Sequence, residues 1–184
     1  MKKVTHHPLP FTEGDPAAKG LQFLENIATG YWYSQVLFTA IELDLFSCLA
    51  SGNTFPATIA SATGCRSHEL GRLLRALEKM KLVICHDGLW MNSVAAARYL
   101  VRGTPDYIGE FFLYRQFMQP NWQQLTERVQ GHSEEEEELG YEERNFRYVR
   151  AMDSLVRQKA VEIAHLFSKV SLSGAVLDVG GGAG

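Results

Sequence analysis

This chain of 184 residues has little cysteine and proline, no excess of positive charge and no long apolar run. Its three cysteines, Cys48, Cys65 and Cys85, are odd in number and far apart, with no CxxC pair. That excludes a disulfide framework and a zinc knuckle, and the thiols read as the reduced cysteines of a cytoplasmic protein. The six histidines are scattered, whereas a metal site needs about three or four converging ligands, so no metal is expected. No stretch reaches the roughly 18 apolar residues of a membrane span. Residues Met1 to Pro10 lack the apolar segment of a secretory signal. The formal net charge of −3 gives no global field toward nucleic acid or an anionic membrane.

What remains is a globular composition, 46% hydrophobic and 21% charged, able to build a core. Residues 1–16, with Pro8, Pro10 and Pro16, read as a flexible arm. From Ala17 to Ala50 the pattern is helical. Leu21, Leu24 and Ile27 form one apolar stripe, and Leu37, Ile41, Leu45 and Leu49 form a second, widened by Phe38 and Phe46. The widened face suits burial in its own domain or against a second subunit. Gly52 ends that helix. Thr54 is expected to cap a short helix through Ala62, Thr63-Gly64 to turn, and Ser67 to cap a helix whose inner face is Leu70, Leu73, Leu74, Leu77 and Met80. Asp87-Gly88 between the apolar runs Leu82–Cys85 and Leu89–Met91 predicts a β-hairpin. Helix, helix, helix, hairpin is the order of a winged-helix module, assigned to residues 17–104.

Residues 105–170 form a helical linker region. Its first part is rich in aromatic residues, and the five glutamates from Glu134 to Glu138 read as a solvated face. A long helix follows from about Tyr141 to Ser168, with Phe146, Val149, Met152, Val156, Ala160, Ile163 and Phe167 along one side. The period then changes. Ala175-Val176-Leu177 is a continuous apolar run, as in a strand covered on both faces of a parallel sheet, and it opens into Asp178-Val179-Gly180-Gly181-Gly182-Ala183-Gly184. Such a strand lacks sheet partners within the chain, so it is expected to be poorly ordered or packed against a neighbour.

A buried strand that opens into glycines marks a nucleotide-type site, because glycine allows positive φ and close approach of a ligand to the main chain. Gly180, Gly182 and Gly184 fit a D-x-G-x-G-x-G pattern and also the start of a dinucleotide loop. Asp178 favours the first. A carboxylate two residues before the first glycine suits the cationic sulfonium and ammonium of S-adenosylmethionine and would repel a pyrophosphate.

The segment LDVGGGAG, Leu177 to Gly184, resembles motif I of the class I S-adenosylmethionine-dependent O-methyltransferases of plants and bacteria that act on small molecules. Ala183 departs from the family's usual threonine and loses one hydroxyl. Upstream, AIELDLFSCL at Ala40–Leu49 resembles that family's dimerisation helix, and GRLLRALEKMKLV at Gly71–Val83 its winged-helix core. Asn145 to Met152 resembles the segment whose methionine packs near the substrate ring. The resemblance implies a mainly α fragment: a winged-helix-like dimerisation domain, a long linker helix, and the first strand and glycine loop (171–184) of a Rossmann-like methyltransferase domain. It implies a homodimer formed through the N-terminal helices and a small, aromatic methyl acceptor. The cofactor would lie on Asp178, Gly180, Gly181, Gly182 and Gly184, and the acceptor against Phe112, Phe117, Met118, Phe146 and Met152. The catalytic base and the ribose-binding acid of that family have no assigned counterpart in the chain, so these residues alone are not expected to catalyse.

Three rival readings stay open on the residues. A winged helix can bind DNA, and Arg66, Arg72, Arg75, Lys79 and Lys81 outnumber Glu69 and Glu78 around its third helix. The acid in the wing turn and the overall negative charge oppose that reading, so nucleic acid is not an expected partner. A nicotinamide-dependent dehydrogenase would need a further glycine at residue 185. A methyltransferase relative that has lost catalysis and acts as a scaffold is the third.

Overall fold

The computed structural model describes residues 20–132 and 141–169, together with Ala175, Leu177 and Val179. The arm at 1–16, the glutamates at 134–138 and the loop residues Asp178, Gly180, Gly181, Gly182 and Gly184 lie outside the described residues.

The first helix, α1 (Leu21–Thr29), buries none of its residues. It is followed by α2 (Tyr31–Glu42) and α3 (Leu45–Ala50), which the apolar spacing had joined into one. The break lies at Asp44, whose φ of 50° is left-handed. Aspartate tolerates that region because its short polar side chain bonds locally, and here Ser47 Oγ donates to Asp44 Oδ1 at 2.7 Å. The turn redirects the chain so that Leu45, Phe46 and Leu49 enter the same core as Ile41.

Next comes α4 (Pro56–Thr63), which starts on a proline whose missing N–H costs nothing at a helix start. Thr54 does not cap it. Its carbonyl instead accepts from the Trp90 N–H at 2.9 Å. Gly64 closes α4 in the left-handed conformation, and α5 (Ser67–Lys79) follows, with Arg66 rather than Ser67 at the cap position and no side-chain cap. Leu70, Leu74 and Leu77 of α5 are fully buried. Burying one such side chain is worth roughly 1.5–3 kcal/mol, so this stripe is a main anchor of the domain.

The strands β1 (Val83–His86) and β2 (Leu89–Asn92) pair antiparallel with Cys85 opposite Trp90. Asp87 and Gly88 turn between them with φ of 51° and 77°, the paired positive values of a two-residue hairpin turn. Val83 and Trp90 point into the core, and Asn92 Nδ2 donates to the Phe46 carbonyl at 2.8 Å, tying the wing to α3. Ser93 caps α6 (Val94–Tyr99) by accepting from the Ala96 N–H at 3.3 Å.

Beyond this module, α7 (Gly109–Phe117) leads to two short helices, α8 (Gln119–Gln123) and α9 (Leu125–Val129). The long helix α10 (Tyr141–Phe167) returns across α7, the most extensive helix-to-helix contact among the described residues. Its small residues Ala151 and Ser154 are the buried ones. The large stripe from Phe146 to Phe167 faces mostly outward, and past Ser154 every described side chain of α10 is exposed. Ala175, Leu177 and Val179 belong to no strand, and Leu177 and Val179 are 86% and 85% exposed. The strand expected at 175–179, without sheet partners in the chain, is not seen at these three residues; Val176 and Asp178 lie outside the described residues.

Candidate functional site

The seam between α7 and α10 opens into a cleft of about 280 Å³. Leu113, Tyr114 and Phe146 give it an apolar wall, and Glu110, Glu143, Arg147 and Arg150 give it a charged rim. Glu110 Oε1 takes both Arg102 Nη1 at 3.2 Å and Arg150 Nη2 at 3.1 Å. Arg102 also reaches Asp44 Oδ1 through its Nε at 3.3 Å, so a chain of charges links the α2–α3 junction to α7 and α10. Arg147 pairs with Glu143 one turn earlier at 2.8 Å. The two cleft guanidinium groups of α10 also stand over rings, Arg147 at 4.8 Å from the Phe117 centroid and Arg150 at 5.5 Å from that of Phe146.

Beside the cleft, Tyr107 is buried, with the Arg102 guanidinium 5.6 Å from its ring centroid. Its hydroxyl has no hydrogen-bond partner among the described residues. Burial pushes the pKa of that hydroxyl above the ordinary tyrosine value, making it a weaker acid. A side chain at Gly109 would collide with this ring, so glycine lets α7 start directly beneath it.

The five expected acceptor-wall residues do not share one surface. Phe146 lines the cleft, and Phe117 sits under Arg147 and stacks on Tyr114 at 6.3 Å. Met118 is half-buried at the end of α7. Phe112 packs against the winged-helix core and meets Phe111 edge-on at 5.7 Å. Met152 is six positions after Phe146, about 240° around the helix at 3.6 residues per turn, so it faces away from the cleft. Tyr114, one of the aromatic residues of this run but not among the expected acceptor-wall residues, lines the cleft and contacts both Phe117 and Tyr148, the latter at 5.8 Å. Its place in the aromatic run of α7 was the available signal. The Arg102–Glu110–Arg150 cluster left none, because its members come from separate segments.

Cys48, Cys65 and Cys85 are free and half-buried, and burial, aided by the charge of Asp44, raises the pKa of the Cys48 thiol. Among the described residues no group of three or more His, Cys, Asp or Glu side chains could hold a metal ion, and no helix is long and apolar enough to cross a membrane.

A helix-turn-helix with a hairpin wing, continued by a long helix, is the architecture of winged-helix modules at the front of small-molecule methyltransferases. Residues 25–102 match the family model of the O-methyltransferase dimerisation domain. The chain is 33% identical over 169 residues to the 3-hydroxy-5-methyl-1-naphthoate 3-O-methyltransferase of Streptomyces sahachiroi, covering 88% of this chain and 49% of that protein. It is 41% identical over 66 residues to the bacteriochlorophyllide d C-20 methyltransferase of Chlorobaculum tepidum, covering 36% of this chain and 19% of that one. Human N-acetylserotonin methyltransferase, crystallised with S-adenosylmethionine, shares the fold with a TM-score of 0.65 at 24% identity, over 74% of this chain and 45% of that structure. The chain thus spans about half or less of the length of these relatives.

Proposed function

We propose that the protein is an S-adenosylmethionine-dependent O-methyltransferase that transfers a methyl group to a hydroxyl of a small aromatic molecule, as a homodimer in the cytoplasm. The observation that carries this reading is an order along one chain. An O-methyltransferase dimerisation domain at residues 25–102 is followed by an acid, Asp178, and then by Gly180, Gly182 and Gly184. The similarity to a naphthoate 3-O-methyltransferase over 88% of the chain supports an aromatic hydroxyl as the acceptor.

In this reading Asp178 balances the cationic methionyl end of the cofactor, while Gly180, Gly181, Gly182 and Gly184 let it approach the main chain. When bound, the cofactor supplies an electrophilic methyl group. Phe146, with Tyr114 and the neighbouring Phe117, holds the acceptor ring at the cleft, whereas Phe112, Met118 and Met152 do not line it. Alignment of the hydroxyl with the methyl group is the main contribution such a wall makes, worth up to about 7–11 kcal/mol of the barrier in well-oriented systems. No residue is assigned as proton acceptor; residues 25–102 serve dimerisation, and the α7–α10 cleft forms part of the acceptor wall. The exposed apolar residues of α1 and α2, Leu21, Leu24, Ile27 and Trp32, supply the dimer surface.

Calorimetric titration of the full-length protein with S-adenosylmethionine tests the assignment. Binding is expected, and Asp178→Asn should weaken it by about tenfold, since a hydrogen-bonded charge is worth about 1.5–3 kcal/mol. An intact protein with no affinity for the methyl donor would overturn the reading.

A further inference from the structure

We propose that the acceptor carries an anionic group, a carboxylate on the aromatic ring, and that Arg147 and Arg150 of the α7–α10 cleft receive it. The inference rests on the methyltransferase reading and adds to it the charge of the substrate.

The cleft combines two features that a neutral phenol does not require. One is a flat wall made of Leu113, Tyr114 and Phe146. The other is a pair of guanidinium groups on consecutive turns of α10, both about half-exposed and both opening onto the same space. Neither is locked away by its glutamate. Arg150 gives Glu110 only its Nη2, and Glu110 is already served by Arg102 from the other side. Arg147 holds a single oxygen, Glu143 Oε1, through Nε and Nη2. Each guanidinium has five donors in a fixed fork, so each retains N–H groups for a second carboxylate.

The rings below orient these forks. Arg150 over Phe146 and Arg147 over Phe117 are held by stacking as well as by charge, which reduces the conformational freedom lost when a ligand binds. Glu110 has only 20% of its side chain exposed and fixes Arg150 from below, making it a positioning residue. Two carboxylates of the lining work against an incoming anion: Glu143, half-exposed one turn before Arg147 and neutralised by it, and Glu110, neutralised by Arg102 and Arg150. A ligand with its ring against Tyr114 and Phe146 can direct a carboxylate between the two arginines, whereas a neutral ring leaves both donors to water. The volume of about 280 Å³ accommodates a bicyclic aromatic acid with space for bound water.

The test uses the full-length protein and two probes that differ only in charge, 3-hydroxy-2-naphthoic acid and its carboxamide. Calorimetry reads their binding, and methyl transfer is measured separately. The acid is expected to bind at least about tenfold more tightly than the amide, the usual margin for a charge-assisted contact. Arg147→Gln and Arg150→Gln should each shrink that ratio, and together they should bring it close to one. Arg150→Lys should recover part of it, which separates loss of charge from loss of packing, and thermal melting confirms that each variant is folded. Equal affinity for acid and amide, no binding of either, or a ratio unchanged in the double variant each overturns the inference. Methylation of neutral naphthols as fast as of the acid also overturns it while leaving the methyltransferase reading intact. Conversely, an acid preference without any methyl transfer counts against the enzyme reading alone.

Discussion

At the scale of single residues, Tyr107 is the most informative position, because it is buried with an unpaired hydroxyl beside a row of charges. A buried hydroxyl that makes no hydrogen bond contributes no stability, so Tyr107→Phe should stay within about 1 kcal/mol of the parent at neutral pH. The difference grows at alkaline pH, and its sign is fixed. Burial holds the proton on folded Tyr107 to higher pH than in the unfolded chain. Below the ordinary tyrosine value, near pH 10, its contribution to stability is fully present; above that, the unfolded chain ionises first and stability falls as pH rises. Melting temperatures followed from pH 8 to pH 11 should therefore drop less for Tyr107→Phe than for the parent. Equal slopes would show that the tyrosine is not buried in solution. None of this was legible in the sequence. Tyr107 stood there as one aromatic of several, and its burial depends on Gly109 leaving space and on Arg102 arriving from before α7.

At the scale of elements, the hairpin and α5 could be read in advance and the α2–α3 break could not. Asp87-Gly88 carries its own backbone requirement, and the leucines of α5 repeat with the helical period, so both features are local. The spacing Leu37, Ile41, Leu45, Leu49 continues undisturbed across Asp44, because the turn preserves the register of the apolar face while changing the direction of the chain. Periodicity cannot report such a kink. The cost of the kink is measurable. Asp44→Ala places a less tolerant residue at φ 50° and removes the acceptor of Ser47, and it should lower stability in urea denaturation by about 1–2 kcal/mol. Asp44→Gly should cost less, since glycine accepts that conformation. The ion pair to Arg102 is partly exposed at both ends and adds little to either number. The candidate acceptor residues were partly legible for the same reason of locality: Phe117 and Phe146 meet across one seam, while Met152, on the same helix as Phe146, is rotated out of it.

At the scale of the molecule, the N-terminal helix is the clearest sign of incompleteness. Nine residues with no buried side chain are too few to hold a helix in water unaided, and those of α1 expose Leu21, Leu24 and Ile27 in one row. In the proposed homodimer a second subunit covers that row, which accounts for both facts. Leu24→Glu combined with Ile27→Glu should convert the dimer to a monomer in size-exclusion light scattering, while the far-ultraviolet signal of the winged-helix core is retained. A parent that is monomeric, or a variant that remains dimeric, would refute this surface. The long helix α10 has a mechanical consequence of its own. Only its first half is seated on α7, yet its 27 residues extend about 40 Å at 1.5 Å per residue. It is a rod clamped near its middle by Ala151 and Ser154. A tilt of about 5° at that clamp moves the tip, about 20 Å further on, by about 2 Å, so occupancy of the cleft can be felt by whatever the far end of the rod carries.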